Sequence, residues 1–538
     1  MEKIWLKSYP PGVPAEIDTP PHGSLAELLE AAFLTFATRT AFVCMGRELS
    51  YAELDNRSRA LAAWFQSQGL EPGARIAVML PNLLQYPVTL AAILRAGYVV
   101  VNVNPLYTAR ELEHQLNDSG AQALVLLDAF LPTFNALGRD TKVRHVVVAS
   151  TNDQVDTVPA SHVTFEQALA QGANAPFTRV AISPDDVAVL QYTGGTTGVS
   201  KGATLLHRNL IANVLQSEAW REAAVRGRDD IGQYVTVIAL PLYHVFGLTV
   251  CGLLSMRTGG LGILIPNPRD IPAMVRTLRG FAINAFPAVN TLFNALVNDP
   301  DFASLDFSKL VQATGGGMAV QQAVAARWQA VTGVPIVEGY GLSETSPSVS
   351  SNPPGATAFS GSIGVPLPST EISIRDDDGR EMPPGEPGEI CIRGPQVMAG
   401  YWNRPEETAS VMTPDGFFRS GDIGVMNERG FVKLVDRKKD MIIVSGFNVY
   451  PNEIEDVVAK HPGVFEVVAL GVPDAHSGEV VKLFIVRKDP ALSQADIFAF
   501  CAQQLTGYKR PKLIEFRTEL PKSAVGKILR RALRDGAG

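Results

Sequence analysis

Short, almost continuous apolar runs alternate with amphipathic, capped stretches through most of the chain. The runs occupy residues 75–80, 98–103, 123–127, 145–149, 187–192, 234–240, 261–265, 283–286 and 336–337. Apolar runs without polar alternation are typical of strands covered on both faces, as in parallel sheets. Three segments that each precede an amphipathic stretch have the pattern of a capping box at a helix start: Ser24-x-x-Glu27, Ser50-x-x-Glu53 and Thr108-x-x-Glu111. The alternation predicts an α/β chain with at least two sheets.

The amino-acid composition changes from about residue 364. Segments 376–379 and 383–388 are rich in Asp, Gly and Pro, and a short strand-like run follows at 389–393. This pattern predicts a small β-rich subdomain with tight turns. We therefore expect a large N-terminal domain over residues 1–435, built of two α/β sheet subdomains plus this small β-rich subdomain.

The last part of the chain, residues 436–538, has the size of an independent domain. It carries its own strand-like runs at 467–471 and 481–486, and helix starts at Asn452 and Ser493. We expect a small α+β C-terminal domain here. A chain of 538 residues exceeds what a single core supports, which agrees with several domains.

Composition excludes several classes of protein. The formal net charge of -7 argues against a nucleic-acid binder held by phosphate contacts. The eight histidines are scattered, and no C-x-x-C pair occurs among four distant cysteines, namely Cys44, Cys251, Cys391 and Cys501. We therefore expect no disulfide framework, no built-in metal and a reducing compartment.

The sequence also indicates whether the protein is exported or spans a membrane. The N-terminus lacks the apolar run of a signal peptide, and the most apolar stretch, residues 245–256, is too short to span a bilayer. We expect a cytoplasmic protein. The sequence allows a transient, peripheral association with the inner membrane surface, and it also allows a homodimer.

A segment rich in Gly, Thr and Ser lies between a strand-like run and a helix-like run that begins near His207. It reads Gln191-Tyr192-Thr193-Gly194-Gly195-Thr196-Thr197-Gly198-Val199-Ser200-Lys201-Gly202. Glycines allow backbone N–H groups to turn toward an anion, hydroxyls add donors, and Lys201 adds positive charge. The segment is not a Walker A loop, because Gly202 follows the lysine. It predicts a phosphate site; the alternative is a surface loop of small polar residues.

This segment resembles the phosphate-binding signature of the adenylate-forming superfamily, which comprises acyl-CoA synthetases, peptide-synthetase adenylation domains and beetle luciferases. Further matches follow in order along essentially the whole chain: Leu94-Arg95-Ala96-Gly97, Pro241-Leu242-Tyr243-His244-Val245-Phe246-Gly247, Thr314-Gly315-Gly316-Gly317, Gly339-Tyr340-Gly341-Leu342-Ser343-Glu344-Thr345, Gly388-Glu389-Ile390, Ser420-Gly421-Asp422, Asp436-Arg437-Lys438-Lys439 and Pro521-Lys522-Ser523-x-x-Gly526-Lys527. Within the superfamily, residues 104–120, 415–439 and 441–455 are similar to bacterial long-chain fatty acid CoA ligases.

The resemblance implies that a fatty acid carboxylate attacks the α-phosphorus of ATP. The products are an acyl-adenylate and pyrophosphate, and the thiol of CoA then displaces AMP to give acyl-CoA. Since the first step brings two anions together, it needs positive charge and aligned donors. A medium-chain acyl-CoA ligase is one alternative. Another is a fatty-acyl-AMP ligase that loads a carrier protein, although its typical insertion is not recognisable between Ser346 and Gly361.

The same resemblance assigns residues to the phosphates and the metal. It places Thr193, Gly194, Gly195, Thr196, Thr197, Gly198 and Lys201 at the β- and γ-phosphates of ATP. Thr345 would contact the α-phosphate, and Glu344 with Thr196 would bind Mg²⁺. His244 and Phe246 would border the carboxylate end of the acyl site. A surface glutamate at Glu344 and a core histidine at His244 are the alternative interpretations.

The nucleoside of ATP is assigned in the same way. Tyr340 would stack on adenine, while the glycines Gly315, Gly316, Gly317 and Gly341 allow close approach. Asp422 and Arg437 would bind the ribose hydroxyls. Simple core packing of Tyr340 and a turn role for Asp422 are the alternatives.

In the superfamily, a mobile C-terminal domain adopts two poses for the two half-reactions. Lys527 would reach the carboxylate and the α-phosphate in the first pose. Lys439 resembles the hinge position, and Gly446 would line the pantetheine tunnel of CoA in the second pose. A helix-flanking lysine and an ordinary turn glycine are the alternatives for Lys527 and Gly446. The apolar segments 245–254 and 285–293 would wall a tunnel for the acyl tail.

Overall fold

The computed structural model describes residues 2–18, 22–137, 141–152, 158–193, 200–474 and 476–534. Its α-helices, in chain order, are α1 (Leu25–Thr35), α2 (Tyr51–Ser67), α3 (Gln85–Arg95), α4 (Ala109–Ser119), α5 (Leu131–Asn135), α6 (Phe165–Ala173), α7 (His207–Val225), α8 (Leu254–Arg257), α9 (Ile271–Leu278), α10 (Asn290–Val297), α11 (Gln322–Thr332), α12 (Pro405–Val411), α13 (Pro451–Val458), α14 (Gln494–Gln504) and α15 (Arg530–Arg534). A π-helix, Phe246–Leu253, runs directly into α8, and short 3-10 helices occupy Ile4–Ser8, Asp128–Phe130, Phe302–Ser304, Ser343–Thr345 and Gly507–Lys509.

The strands are β1 (Thr40–Cys44), β2 (Arg47–Ser50), β3 (Arg75–Met79), β4 (Val99–Asn102), β5 (Ala123–Leu127), β6 (His145–Ala149), β7 (Val163–Thr164), β8 (Val187–Thr193), β9 (Lys201–Leu206), β10 (Val235–Ile238), β11 (Leu261–Leu264), β12 (Ala285–Ala288), β13 (Gln312–Gly315), β14 (Ile336–Gly341), β15 (Ser348–Ser351), β16 (Val365–Pro366), β17 (Glu371–Arg375), β18 (Pro387–Arg393), β19 (Gly400–Tyr401), β20 (Phe418–Met426), β21 (Val432–Arg437), β22 (Ile442–Val444), β23 (Phe447–Val449), β24 (Val464–Asp474), β25 (Gly478–Arg487) and β26 (Leu513–Arg517).

Two large, mainly parallel sheets form the bulk of the protein. Within the described residues, one has the order β16-β15-β14-β13-β12-β10-β11-β1-β2 and the other β19-β9-β8-β4-β3-β5-β6-β7. The antiparallel pairs lie toward the edges, at β1–β2, β14–β15, β15–β16, β8–β9 and β9–β19. The central strands are buried along their whole length, as in β4 and β5. The predicted apolar runs are therefore confirmed as strands covered on both faces.

A smaller antiparallel sheet, β17-β18-β20-β21, follows the two large ones. It contains the predicted turns rich in Asp, Gly and Pro, and it packs its apolar side chains onto the main core. The last sheet, β23-β22-β25-β24 with β26 beside β25, lies with α13 and α14 around a separate apolar core. The predicted fold class, two α/β sheets with a β-rich subdomain and a final α+β unit, is confirmed.

Helix starts follow the predicted signals in most cases. Ser50, Thr108 and Ser493 each begin a helix with a complete capping box. At Ser24 only half of the box forms, because the Glu27 carboxylate accepts a hydrogen bond from Gly23 instead. The start predicted at Asn452 is wrong: α13 begins at Pro451, which suits the first helical position, where no N–H donor is needed.

In the part of the chain that the structure describes, no helix combines the length and the apolar character needed to cross a membrane. All four cysteines are free and buried. The π-helix and α8 account for the most apolar stretch of the sequence, and they pack inside the protein as core.

Candidate active site

A single continuous cavity of about 2640 Å³ opens between the two large sheets and the C-terminal unit. It lies at the carboxyl ends of several strands, where Thr193 ends β8, Gly316 follows β13 and Tyr340 lies near the end of β14. Ligand sites of open α/β sheets form at such ends, outside the strands. The residues predicted for the site that line this cavity are Thr193, Lys201, His244, Phe246, Gly316, Gly317, Tyr340, Gly341, Glu344, Asp422, Arg437, Lys439 and Lys527.

The described ends of the predicted phosphate loop are the hairpin strands β8 and β9. Thr193 and Lys201 are paired across these antiparallel strands. The ammonium of Lys201 lies 5.2 Å from the centroid of the Tyr401 ring. Five predicted phosphate contacts lie outside the described residues: Gly194, Gly195, Thr196, Thr197 and Gly198.

Glu344 and Tyr401 form a buried pair beside this lysine. The Tyr401 hydroxyl donates a 2.8 Å hydrogen bond to Oε1 of Glu344. Burial raises the pKa of the Glu344 carboxyl, and the hydrogen bond from Tyr401 opposes that shift. Among the described residues, no basic side chain forms an ion pair with Glu344. A buried carboxylate of this kind favours a cation as its missing partner.

Thr345 is fully buried behind Glu344 and does not line the cavity. Its hydroxyl donates to the carbonyl of Pro347 at 2.5 Å and accepts a hydrogen bond from the backbone of Leu342. The hydroxyl therefore stabilises the turn that carries Glu344. Its predicted contact with the α-phosphate requires a different rotamer from the one in this structure.

Tyr340, Asp422 and Arg437 form a connected chain. The Tyr340 hydroxyl donates to Oδ2 of Asp422 at 2.6 Å, and Oδ1 of Asp422 lies 3.4 Å from Nε of Arg437. Asp422 and Arg437 are cross-strand partners on β20 and β21. Burial and the adjacent carboxylate raise the pKa of the Tyr340 phenol well above its usual value. The aspartate and the arginine offer an acceptor and a donor to the cavity, as binding of vicinal hydroxyls requires.

Glycines let other groups approach this part of the cavity. A Cβ on Gly316 would lie 2.8 Å from the ring of Phe246, and one on Gly341 would lie 1.9 Å from the carbonyl oxygen of Pro347. Gly317 adopts a φ of +76°, which favours glycine. Gly315 does not line the cavity, and its missing Cβ makes room for Val320.

His244 lies beside Lys527 at the junction of the two domains. Burial, reinforced by the charge of Lys527, lowers the pKa of His244 to about 4. The imidazole is therefore neutral at physiological pH. Its Nδ1 accepts a 3.4 Å hydrogen bond from the backbone N–H of Phe246, which fixes the orientation of the ring.

Lys527 projects into the cavity from a turn that is fixed against the N-terminal domain. The Thr291 hydroxyl on α10 donates a 2.9 Å hydrogen bond to the carbonyl of Gly526. Gly526 has a φ of +81°, and a Cβ there would lie 2.9 Å from Thr291 Oγ1. Burial, with a contribution from Arg437, lowers the pKa of Lys527 to about 7. Such a shift, in a group facing a cleft, is typical of catalytic lysines.

Two predicted residues lie at the edges of this arrangement. Lys439 lines the cavity just beyond the end of β21, where the small sheet leads into the C-terminal unit. Gly446 lies outside the cavity, at the tip of the β22–β23 hairpin, with a φ of +82° and no atom within 4 Å of an added Cβ. This pose of the C-terminal unit therefore brings Lys527, and not Gly446, to the cavity.

Sequence reasoning missed Tyr401 and Thr291. Tyr401 reaches Glu344 only because β19 pairs with β9, and Thr291 reaches Gly526 only across the domain junction. No local motif marks either contact. Arg530 also lines the cavity, and its guanidinium is engaged with Glu455 at 2.6 Å and with the carbonyl of Ala469.

Comparison with known proteins places this geometry in a family. The AMP-binding enzyme family matches residues 29–402, and the AMP-binding enzyme C-terminal domain matches residues 453–527. A long-chain-fatty-acid–CoA ligase of Escherichia coli O6:H1 is 52% identical, over 100% of this chain and 99% of its own. The ligase of the same name from Bacillus subtilis is 37% identical, over 99% and 98%. The crystal structure of an anthranilate CoA ligase with anthranoyl-AMP is 26% identical, with a TM-score of 0.87 over 97% of this chain and 98% of that one. The chain, over both of its domains, belongs to the AMP-binding enzyme family.

Proposed function

We propose that this protein is a long-chain fatty acid CoA ligase that forms AMP. It converts a fatty acid, ATP and CoA into acyl-CoA, AMP and pyrophosphate through an acyl-adenylate. The observation that carries the proposal is the convergence of Lys527, Glu344, Asp422 and Arg437 on one cavity at the ends of the strands. The relatives named as long-chain-fatty-acid–CoA ligases support the choice of acid.

In the first half-reaction, the carboxylate of the fatty acid attacks the α-phosphorus and pyrophosphate leaves. Lys527 in its cationic form neutralises charge on the attacking carboxylate and the α-phosphate, which lowers the barrier between two anions. Lys201 and the loop from Thr193 hold the β- and γ-phosphates. Asp422 and Arg437 hold the ribose, and Tyr340 lies along the adenine.

Mg²⁺ fits the buried, unpaired carboxylate of Glu344. Among the described residues, no group of three or more His, Cys, Asp or Glu side chains is arranged to hold a metal ion. Glu344 and, by the family resemblance, Thr196 would hold the ion together with oxygens of the bound nucleotide. The ion supplies positive charge to the phosphates when it is bound.

In the second half-reaction, the thiol of CoA attacks the acyl carbonyl and AMP leaves. We propose that the unit of residues 436–538 rotates about Lys439 relative to residues 1–435 between the two steps. Rotation withdraws Lys527 and brings the hairpin at Gly446 to the cavity. The enzyme acts in the cytoplasm on free fatty acids.

Product identification after incubation with MgATP, CoA and acids from C4 to C18 tests this function. We expect acyl-CoA and AMP, with kcat/KM rising from C6 toward C12–C18, since each buried methylene contributes about 0.8 kcal/mol. A maximum at C4 or with an aryl acid contradicts the assignment of the acid. Acyl-adenylate without acyl-CoA indicates a ligase that loads a carrier protein instead.

A further inference from the structure

The cavity continues beyond the nucleotide site along one face of the larger sheet. Its floor includes Thr236 of β10, Ala285 of β12 and Gln312 of β13, which are register partners in one row across three parallel strands. Tyr234, two residues before Thr236, extends this face toward the amino ends of the strands. Tyr234 and Leu240 both line the cavity; they lie six residues apart, on either side of β10, and six extended steps of about 3.3 Å span at most roughly 20 Å. The cavity thus has two opposite ends.

The character of the wall changes along this length. Near His244 the wall is apolar, with Phe246 and Val250 of the π-helix and Pro287 of β12. An alkyl chain is stabilised by such a wall. At the other end, polar side chains join the apolar Trp220 and Leu254 in the wall: Ser217, Arg221, Tyr234, Thr236, Ser255 and Gln312. Hydrogen-bond donors at the end of a tunnel that binds only methyl-terminated chains are unfavourable. An alkyl group displaces the water bound to such donors without replacing its hydrogen bonds.

Arg221 is the cation at this polar end. Its guanidinium lies 5.0 Å from the centroid of the Tyr234 ring and donates one 2.8 Å hydrogen bond to the Thr258 hydroxyl. The nearby Glu218 pairs with Arg257 instead, and no carboxylate of the described residues forms an ion pair with Arg221. Burial lowers the pKa of the guanidinium, in keeping with its incomplete hydration. Several N–H donors therefore remain for a ligand.

Two hydroxyls at the same end also have no partner. Tyr234 Oη and Ser255 Oγ are both buried and make no hydrogen bond to the described residues. Buried hydroxyls without partners are uncommon in folded proteins, since each costs free energy. Both residues line the same end of the cavity as Arg221, and a hydroxyl is a donor that a carboxylate can accept.

We propose that this end of the cavity binds a second carboxylate at the far end of the acyl chain, so that the substrates include long-chain α,ω-dicarboxylic acids. The inference rests on the proposed function, because one carboxylate is activated near Lys527 while the other is held by Arg221. A diacid of the right length spans the apolar section and places an oxygen-bearing group at each polar end. The product is the mono-CoA thioester.

The test compares monocarboxylic and α,ω-dicarboxylic acids of matched length, from C10 to C18, in the complete reaction with MgATP and CoA. For the parent enzyme we expect the ratio of diacid to monoacid kcat/KM to pass through a maximum at one chain length. Arg221→Met should lower that maximum by about tenfold or more, because a hydrogen-bonded charge pair is lost. Arg221→Lys, which keeps the charge without the planar fork, should lower it less.

Arg279→Met is the control, since the guanidinium of Arg279 pairs with Asp301 and the residue does not line the cavity. It should leave the ratio unchanged. The proposal is wrong if the ratio is flat with chain length, if no diacid is used, or if Arg221→Met and Arg279→Met give the same ratio. Turnover of monoacids in the same assay separates these outcomes from failure of the proposed function, which predicts that turnover. Because the readout is a ratio within one variant, partial unfolding does not imitate the effect.

Discussion

The hydroxyl of Tyr401 donates a 2.8 Å hydrogen bond to the Glu344 carboxylate, while the ring of the same tyrosine lies 5.2 Å from the ammonium of Lys201. One side chain thus connects the end of the phosphate loop to the carboxylate assigned to the metal. The hydrogen bond favours the ionised form of Glu344, against the effect of burial. We infer that Tyr401 positions Glu344.

Replacement of Tyr401 by phenylalanine tests that relationship. A hydrogen bond to a charged group contributes about 1.5–3 kcal/mol, so Tyr401→Phe should slow adenylation by about ten- to hundredfold. The Mg²⁺ concentration for half-maximal rate should rise, because Glu344 binds protons more readily. Fatty-acid-dependent ATP–pyrophosphate exchange over a Mg²⁺ titration measures both. Tyr98→Phe is the control, since the Tyr98 hydroxyl bonds only the carbonyl of Leu70. Parent behaviour of Tyr401→Phe contradicts the role.

The pH dependence of adenylation follows from Lys527. With its pKa lowered to about 7 by burial, the lysine is cationic below that pH and neutral above it. We expect kcat/KM for ATP in the adenylation step to fall above about pH 7, by about tenfold per pH unit. Bound ATP favours the cation, so kcat at saturating ATP should fall only at higher pH. Lys527→Arg stays charged and should lack this decline; a decline that persists in this variant belongs to another group.

The contact between Thr291 and Gly526 should matter for the same step. Thr291→Val removes the 2.9 Å hydrogen bond that fixes the Lys527 turn, at a cost of about 1 kcal/mol or about fivefold in rate. The expected loss is confined to adenylation, measured by pyrophosphate exchange. Thr277→Val is the matched control, because the Thr277 hydroxyl bonds only a carbonyl within α9. Equal rates for the two variants contradict a positioning role for Thr291.

The sequence predicts the strands well where burial on both faces leaves an uninterrupted apolar run, as in β4 and β5. Helix starts are predictable where a side chain caps the backbone, as at Ser50. At Asn452 the capping pattern misleads, because Glu455 is bound to Arg530 from the far end of the chain. Competition from a distant residue leaves no mark in a local window.

The residues of the site likewise include some that are predictable from the sequence and some that are not. Residues in contiguous motifs, such as Tyr340 and Lys527, are predictable from resemblance because each motif holds its own backbone shape. Tyr401 and Arg221 are not, since their positions depend on strand pairing and on the packing of α7 over a sheet built elsewhere in the sequence. The lowered pKa values of His244 and Lys527 likewise depend on packing between the two domains, which no local motif shows.

The position of Gly446 leads to a prediction on the second half-reaction. In this pose Gly446 is exposed at a hairpin tip with open space around it, so Gly446→Trp should leave adenylation near the parent rate. Formation of the thioester should collapse if, as we propose, Gly446 lines the path of pantetheine in the second pose, because an indole would obstruct that path. Gly379→Trp is the matched control, as Gly379 has a φ of +81° and equally open surroundings. Equal loss of both steps in Gly446→Trp indicates misfolding or another location for CoA.

We propose that Lys527 serves adenylation and leaves the site before CoA reacts. Lys527→Ala should slow the reaction of fatty acid with MgATP by about a hundred- to a thousandfold, or roughly 2.7–4 kcal/mol, by analogy with a lost oxyanion-hole donor. Supplied with preformed acyl-adenylate and CoA, the variant should form the thioester at close to the parent rate. Both rates are to be measured on one preparation of Lys527→Ala, so that a folding defect would lower both. Loss of adenylation with thioester formation retained is the predicted result; normal adenylation, or failure of thioester formation alone, contradicts it.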